Sequence, residues 1–214
     1  MRPVSRLLRE GLSDVALDLA AAGFAALWDG RAARPEELIP GRAARARRVA
    51  AELARRGRAE LDDDGRLVGV HGLTLRPTRH AFVHAGRTHS TWCAFDSVGI
   101  PAALGLDAEA RTACPACGAD LRVPIRRGRP AVSDMALWLP SPTVGHLMTD
   151  FCAAADLYCS RRHLGEVVDT ARRPGDVLDL AGAAELGREA WADVAGLDLA
   201  GINQLRANDA PRAP

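Results

Sequence analysis

Hydrophobic residues recur at helical spacing through the first quarter of the chain and cluster into short runs after it. Apolar positions between residues 3 and 28 repeat every three to four residues until Asp29-Gly30, which predicts a first helix. A short helix is predicted from Pro35, since a proline followed by two glutamates suits a first helical turn. The same spacing predicts a third helix from about Arg42 to Arg56.

A turn and a hairpin follow these three helices. The run Asp62-Asp63-Asp64-Gly65 predicts a turn, Arg66 to Val70 predicts a strand, and Leu73 to Arg76 its continuation or partner. Three helices followed by a hairpin are typical of a winged-helix-like region. We therefore expect an α+β fold, in which an N-terminal three-helix winged-helix-like region precedes a mixed β-sheet core with flanking helices.

The expected division of the chain is residues 1–76 for the helical region with its hairpin, 77–202 for the core and 203–214 for a loose tail. Within the second half of the core, strands are expected at residues 122–124, 131–139 and 176–180. Helices are expected at residues 163–169 and 183–194, the second with Trp191 facing inward.

The charge balance gives no argument for a nucleic-acid partner. The net charge is +1, and all 28 basic residues are arginine. The third predicted helix is rich in them: Arg42, Arg45, Arg47, Arg48, Arg55 and Arg56. A DNA-reading helix has this composition, but so does a solvated helix in a chain without lysine. We favour the solvated helix and expect no DNA partner.

The location follows from the apolar runs and the cysteines. No apolar run approaches the roughly 20 residues of a membrane span, and the residues after Met1 lead into an amphipathic pattern rather than a signal sequence. Five cysteines are an odd number, which argues against a disulfide framework. We expect a cytoplasmic protein with reduced thiols and no membrane partner.

Cysteine and aspartate in an apolar setting carry the candidate chemistry. Cys93 and Asp96 lie three residues apart, so a helix starting near Cys93 places both on one face. Cys152 lies in a similar apolar setting. A thiol beside a carboxylate suggests a proton-transfer pair, and two thiols in one pocket suggest a soft metal. We expect these three residues to form one site.

The other cysteines and the histidines are less specific. Cys114-Pro115-Ala116-Cys117-Gly118 is half of a zinc ribbon, but the chain has no second C-x-x-C, and the spacing of Cys152 and Cys159 is awkward for one. For His80, His84 and His89 we expect surface or structural roles, since an isolated histidine is rarely a ligand.

One further set of residues comprises Gly72-Leu73-Thr74-Leu75, Thr78, Phe82, Trp92-Cys93-Ala94-Phe95-Asp96, Pro101-Ala102, Leu104-Gly105, Cys114, Gly118 and Phe151-Cys152. In its order and similar spacing, from about residue 43 to 195, the chain resembles the organomercurial (alkylmercury) lyases. The resemblance implies a winged-helix-like N-terminal region, a mixed-sheet catalytic core, and cleavage of a carbon–mercury bond to a hydrocarbon and Hg(II).

The resemblance also assigns roles. It implies that Cys93 and Cys152 are the catalytic cysteines, that Asp96 is the catalytic aspartate, that all three contact the mercury, and that Cys114 is structurally important. It implies no organic cofactor, with Hg(II) bound by thiolates as product. The implied partners are organomercurial small molecules, small thiols, and mercuric reductase as an acceptor of Hg(II).

The chemistry of mercury suits these side chains. Hg(II) prefers thiolate sulfur, and a carboxyl group at Asp96 is able to take a proton from a thiol and deliver it to carbon. A carboxylate opposes a nearby thiolate, so one member of the pair should carry the proton at rest. Trp92, Phe95 and Phe151 are expected to supply an apolar wall that excludes water.

Two departures from the family keep alternatives open. The family commonly has a further cysteine and histidine soon after the second catalytic cysteine, where this chain has Ala153-Ala154-Ala155-Asp156, and Cys117 is an extra thiol. For Cys114 and Cys117 three alternatives stay open: core thiols, a partial metal knuckle or a mercury relay. For Cys159 the alternatives are a packing residue or a relay for Hg(II). The alternatives for the whole chain are a non-enzymatic thiol-based metal-binding or sensor protein, or a family member redirected to other chemistry.

Overall fold

The computed structural model describes residues 12–141 and 145–195. The predicted tail at 203–214 and the start of the first predicted helix lie outside these residues. Seven α-helices lie within them: α1 (Asp14–Trp28), α2 (Pro35–Leu38), α3 (Ala43–Arg55), α4 (Ala94–Ala103), α5 (Leu147–Asp150), α6 (Arg161–Val167) and α7 (Leu180–Ala190).

The strands form two sheets. They are β1 (Ala59–Leu61), β2 (Leu67–Val70), β3 (Leu73–Thr74), β4 (His80–His84), β5 (Arg87–Thr91), β6 (Ala108–Ala113), β7 (Asp120–Arg126), β8 (Arg129–Pro130), β9 (Ala136–Pro140), β10 (Asp156–Tyr158) and β11 (Gly175–Leu178). The larger sheet has the order β1-β2-β3-β5-β4-β6-β7-β8, and the smaller has the order β10-β9-β11.

The combination of helices with sheets confirms the α+β prediction. The sheets differ from the expected mixed type, since every pairing between the described strands is antiparallel. Short turns explain this arrangement for β4–β5, β6–β7 and β7–β8, because a tight turn joins only antiparallel neighbours.

The N-terminal helices were predicted better than the first strand. Helix α1 starts after Ser13, whose side chain accepts a hydrogen bond from the backbone N–H of Ala16, and it ends at the predicted Asp29-Gly30. Strand β1 was missed because three residues directly after a helix carry no readable alternation. It pairs with β2 across the predicted Asp62–Gly65 turn.

The larger sheet runs across the expected division near residue 76. Strand β2 pairs with β3, and β3 pairs in turn with β5, so the hairpin of the helical region belongs to the same sheet as the core strands. The backbone that leads into α4 is therefore continuous with this sheet.

Helix α4 is the centre of the core, and it packs against α7. All nine residues from Ala94 to Ala102 are buried. The two helices approach closely where Gly99 faces Gly187, since a Cβ on Gly187 would lie 2.4 Å from the Cα of Gly99. Trp191 is buried as predicted, and its indole N–H donates to the carbonyl of His71 at 2.8 Å.

Each of the three histidines expected to have surface or structural roles contacts a neighbouring side chain or backbone group. His80 Nδ1 lies 2.8 Å from Thr112 Oγ1, and His84 Nδ1 lies 2.8 Å from the carbonyl of Asp107. His89 stacks on Trp28 with ring centroids 4.3 Å apart. Burial lowers the pKa of both His80 and His89 to about 4, so these two rings stay neutral.

No helix in the described ranges combines the length and the apolar character that crossing a bilayer requires.

Candidate active site

Cys93 and Asp96 are positioned by the start of α4. Cys93 is the N-cap residue, and Asp96 is the third residue of the helix. The backbone N–H of Cys93 donates to Asp96 Oδ2 at 2.9 Å, and the backbone N–H of Asp96 points back at the Cys93 sulfur. This reciprocal pattern is a capping box. It holds the two side chains together, as the spacing of three residues predicted.

Cys152 reaches the same place from a different part of the chain. It opens a short 3-10 helix, Cys152–Ala154, that follows α5. The backbone N–H of Ala94 donates to the carbonyl of Ala155 at 3.2 Å, which ties the end of that segment to the start of α4. The two sulfurs and a carboxylate oxygen of Asp96 lie within 4.8 Å of one another. The structure thus brings the three predicted residues together.

Burial controls the protonation of this cluster. Cys93 is 0% exposed, Asp96 4% and Cys152 6%. Burial raises the pKa of Asp96 to about 7, although hydrogen bonds from the Cys93 thiol and from backbone N–H groups oppose that shift. A carboxyl group with this pKa is partly protonated near neutral pH.

Both thiols hold their protons in the resting cluster. Burial, the hydrogen bond with Cys152 and the charge of Asp96 raise the pKa of Cys93 well above its usual value. For Cys152 the hydrogen bond with Cys93 lowers the pKa, but burial and the Asp96 charge outweigh it, and the net direction is upward. The resting cluster therefore contains two protonated thiols rather than a preformed pair of thiolates.

Gly72 supports Asp96 from behind. Its φ of +85° lies in the left-handed region, and a Cβ at this position would come within 2.8 Å of Asp96 Cγ. The backbone N–H of Trp92 donates to the carbonyl of Gly72 at 3.0 Å. Although Gly72 belongs to the resemblance, its supporting role was not predicted, because a single glycine before a strand does not reveal what approaches it.

The three residues predicted as an apolar wall have different surroundings. Trp92 borders a narrow cleft of only about 10 Å³, together with Leu53 and Val70, and its indole N–H donates to Glu60 Oε2 at 2.7 Å. The ring of Phe95 packs on that of Trp191 at 5.3 Å, and Phe151 is buried. Contact between these side chains and a substrate remains a prediction.

A second cluster gathers the remaining cysteines. Cys114, Cys117 and Cys159 lie with His163 so that one donor atom of each falls within 4.8 Å of the others. Sequence reasoning missed His163, which lies one helical turn after Cys159. The signal was available in the C-x₃-H spacing, but it completes a site only when paired with the distant C-P-x-C-G turn.

Comparison with known proteins identifies the family of the chain. The family model described as alkylmercury lyase matches residues 73–192, more than half of the chain. The chain belongs to the alkylmercury lyase family. The matched range holds all three residues of the Cys93 cluster.

Other members of the alkylmercury lyase family show how far the likeness extends. The chain is 30% identical over 135 residues to an alkylmercury lyase of Bacillus cereus, covering 60% of each protein. It is 34% identical over 113 residues to one of Pseudomonas putida, covering 53% of this chain and 50% of that protein. The matched part thus spans about 60% of the length of the Bacillus cereus relative.

A solved structure shares the fold of this alkylmercury lyase family member. The crystal structure of the mercury-bound form of MerB2 superimposes with a TM-score of 0.79 at 22% identity, over 89% of this chain and 96% of that one. Sequence identity at this level supports the common fold alone.

Proposed function

We propose that this chain is an organomercurial lyase, an enzyme that cleaves a carbon–mercury bond by protonolysis to give a hydrocarbon and Hg(II). The observation that carries the proposal is the buried cluster of two thiols and one carboxyl group with a pKa of about 7. Such a cluster supplies two soft ligands for mercury and a proton for carbon in the same place.

Binding would begin with an exchange of ligands. An organomercurial R–Hg–X meets one cluster thiol, the S–H proton leaves with X, and a sulfur–mercury bond replaces the Hg–X bond. Mercury compensates the resulting thiolate, which offsets the burial that otherwise keeps the thiol protonated. A single sulfur ligand polarises the carbon–mercury bond only a little, so this state persists.

Cleavage would need the second thiol and Asp96. The second thiol transfers its proton to the Asp96 carboxylate, and its sulfur joins the mercury. The added ligand pushes electron density towards carbon, and Asp96 delivers the proton there. The products are R–H and an Hg(II) ion held between Cys93 and Cys152, with Asp96 again ionised. Proton transfer by a positioned carboxyl group contributes typically about 10²–10⁴-fold to a rate.

Release would follow by exchange with small thiols. Two small thiols replace the two cysteine sulfurs on Hg(II) and return their protons to Cys93 and Cys152. No organic cofactor enters this cycle, and a mercuric reductase is a suitable acceptor for the released ion. The free cysteines fit a reducing compartment such as the cytoplasm.

We propose a supporting role for the N-terminal region. Helices α1–α3 and the β1–β2 hairpin fit a winged-helix-like arrangement, with the catalytic core following near residue 76. Strand β3 of this region pairs with β5, the strand that leads into Cys93. The region would therefore stabilise the position of that strand rather than read DNA.

Phenylmercury is a direct test. The full-length protein with excess small thiol should release benzene into the headspace, measured by gas chromatography. Cys93→Ser and Cys152→Ser should each abolish release while circular dichroism shows the fold retained. Stoichiometric mercury binding without benzene would favour a thiol-based carrier or sensor and refute the lyase. Turnover of a mercury-free substrate alone would indicate redirected chemistry.

A further inference from the structure

The second cysteine cluster takes no part in the proposed cleavage. Cys114 and Cys117 lie in the turn between β6 and β7, whereas Cys159 directly follows β10 and His163 lies in the first turn of α6. Cys159 Sγ lies 2.9 Å from His163 Nδ1 and 4.0 Å from Cys117 Sγ. Cys114 Sγ lies 3.8 Å from the same ring nitrogen. Two parts of the chain that are distant in sequence thus bring four possible metal ligands, three sulfurs and one imidazole nitrogen, close together.

The β6–β7 turn is shaped around the Cys114 sulfur. Gly118 adopts a φ of +73°, and its N–H donates to the carbonyl of Cys114 at 2.8 Å. The backbone N–H groups of Ala116, Cys117 and Cys159 form hydrogen bonds with Cys114. Amides directed at a sulfur stabilise it as a thiolate and orient it as a ligand.

The number and type of donors identify the ion. Three sulfurs and one imidazole nitrogen form the Cys₃His set that binds structural zinc in a closed tetrahedron, with no position left for substrate. We propose that Cys114, Cys117, Cys159 and His163 form a structural zinc site, separate from the Cys93 cluster. With Zn²⁺ bound, all three sulfurs would be thiolates and the imidazole would be neutral.

This site would hold the segment that carries Cys152. The chain runs from Cys152 through β10 to Cys159, and β10 pairs with β9. A zinc ion on Cys159 and His163 would clamp the end of β10 to the β6–β7 turn of the larger sheet. It would also keep three thiols from competing with Cys93 and Cys152 for mercury.

Metal content tests the proposal without any mercury chemistry, so its failure is separable from failure of the lyase. The full-length protein, grown with zinc and purified without chelator, should contain one zinc per chain by plasma mass spectrometry. Cys117→Ser and His163→Ala should lose that zinc. The double variant Cys93→Ser/Cys152→Ser is the matched control and should retain it.

Two further measurements keep the test decisive. Cobalt(II) reconstitution should give the intense thiolate charge-transfer and visible bands of a tetrahedral site in wild type but not in His163→Ala. Chelator treatment should lower the melting temperature of wild type and leave that of His163→Ala unchanged. Wild type without zinc after reconstitution, or zinc lost from the Cys93/Cys152 double variant instead, would overturn the assignment.

Discussion

Replacing Asp96 with asparagine should raise the free energy of unfolding relative to that of wild type, and this difference should be larger at alkaline pH than at acid pH. Asp96 is 4% exposed, and burial raises its pKa from 3.8 to about 7. Asparagine has nearly the same shape, retains an oxygen that accepts from the N–H of Cys93, and does not ionise. The variant therefore removes a buried charge and keeps the helix start.

The size of the effect follows from the difference in proton binding. The unfolded chain releases the Asp96 proton near pH 4, whereas the folded chain holds it until about pH 7. The folded form is therefore penalised increasingly across that window, and the penalty stays constant above it. Three pKa units correspond to about 4 kcal/mol in full, of which about 2.5 kcal/mol develops between pH 5 and pH 8.

Urea unfolding at these two pH values measures the effect. The free energy of unfolding of Asp96→Asn minus that of wild type should increase by about 2–3 kcal/mol from pH 5 to pH 8. His80 and His89 also titrate differently in the folded chain, with pKa values of about 4, but they are present in both proteins and cancel in the difference.

Asp62→Asn is the control. Hydrogen bonds with Arg66 lower the pKa of this partly exposed carboxyl group, so its contribution is already established at pH 5. Its difference from wild type should be the same at pH 5 and pH 8. If the Asp96→Asn difference is equally flat, to within about 0.5 kcal/mol, Asp96 ionises normally and holds no proton at neutral pH.

Three further predictions concern the pH dependence of catalysis, the role of Gly72 and the helix contact at Gly187. The kcat/KM for phenylmercury should rise with pH to a plateau with an apparent pKa near 7, because Asp96 must be ionised to accept a thiol proton, and the step should vanish in Asp96→Asn. Gly86→Ala, at φ +76° in open space, should cost about 1–2 kcal/mol in urea unfolding and keep activity. Gly72→Ala carries the same strain and a contact with Asp96, so benzene release should fall by about 10²-fold; equal activity in the two alanine variants would refute the supporting role of Gly72. Gly187→Ala should lower the free energy of unfolding by about 1–3 kcal/mol because its Cβ meets the backbone of the facing helix, whereas Gly165→Ala in α6, where an added Cβ meets nothing within 4 Å, should be neutral or stabilising.

The local part of the candidate site was readable from the sequence. Cys93 and Asp96 are brought together by a single helical turn, and that geometry depends only on residue spacing. The helix begins at Ala94, directly after Cys93, and the reciprocal hydrogen bonds of Cys93 and Asp96 form its cap. Periodicity carries no signal for such a cap in an apolar run.

The long-range part depended on the family resemblance. Cys152 reaches Cys93 through the contact between Ala94 and Ala155, and no local pattern encodes a contact between segments so far apart in sequence. The same limit hid His163, because a histidine four residues after a cysteine becomes a ligand only when the β6–β7 turn arrives beside it. Residue types alone indicate which side chains are able to act as ligands, whereas the tertiary fold determines which of them lie close together.

The central claim is that a protein-held, exchangeable proton ends on the carbon released from mercury. A single turnover of phenylmercury by full-length protein equilibrated in D₂O tests this claim, with the headspace benzene analysed by mass spectrometry. We expect each benzene to carry one deuterium, and Asp96→Asn to bind phenylmercury but release benzene at least about 10²-fold more slowly. Benzene without deuterium, or release by Asp96→Asn at the wild-type rate, would contradict the proposed mechanism.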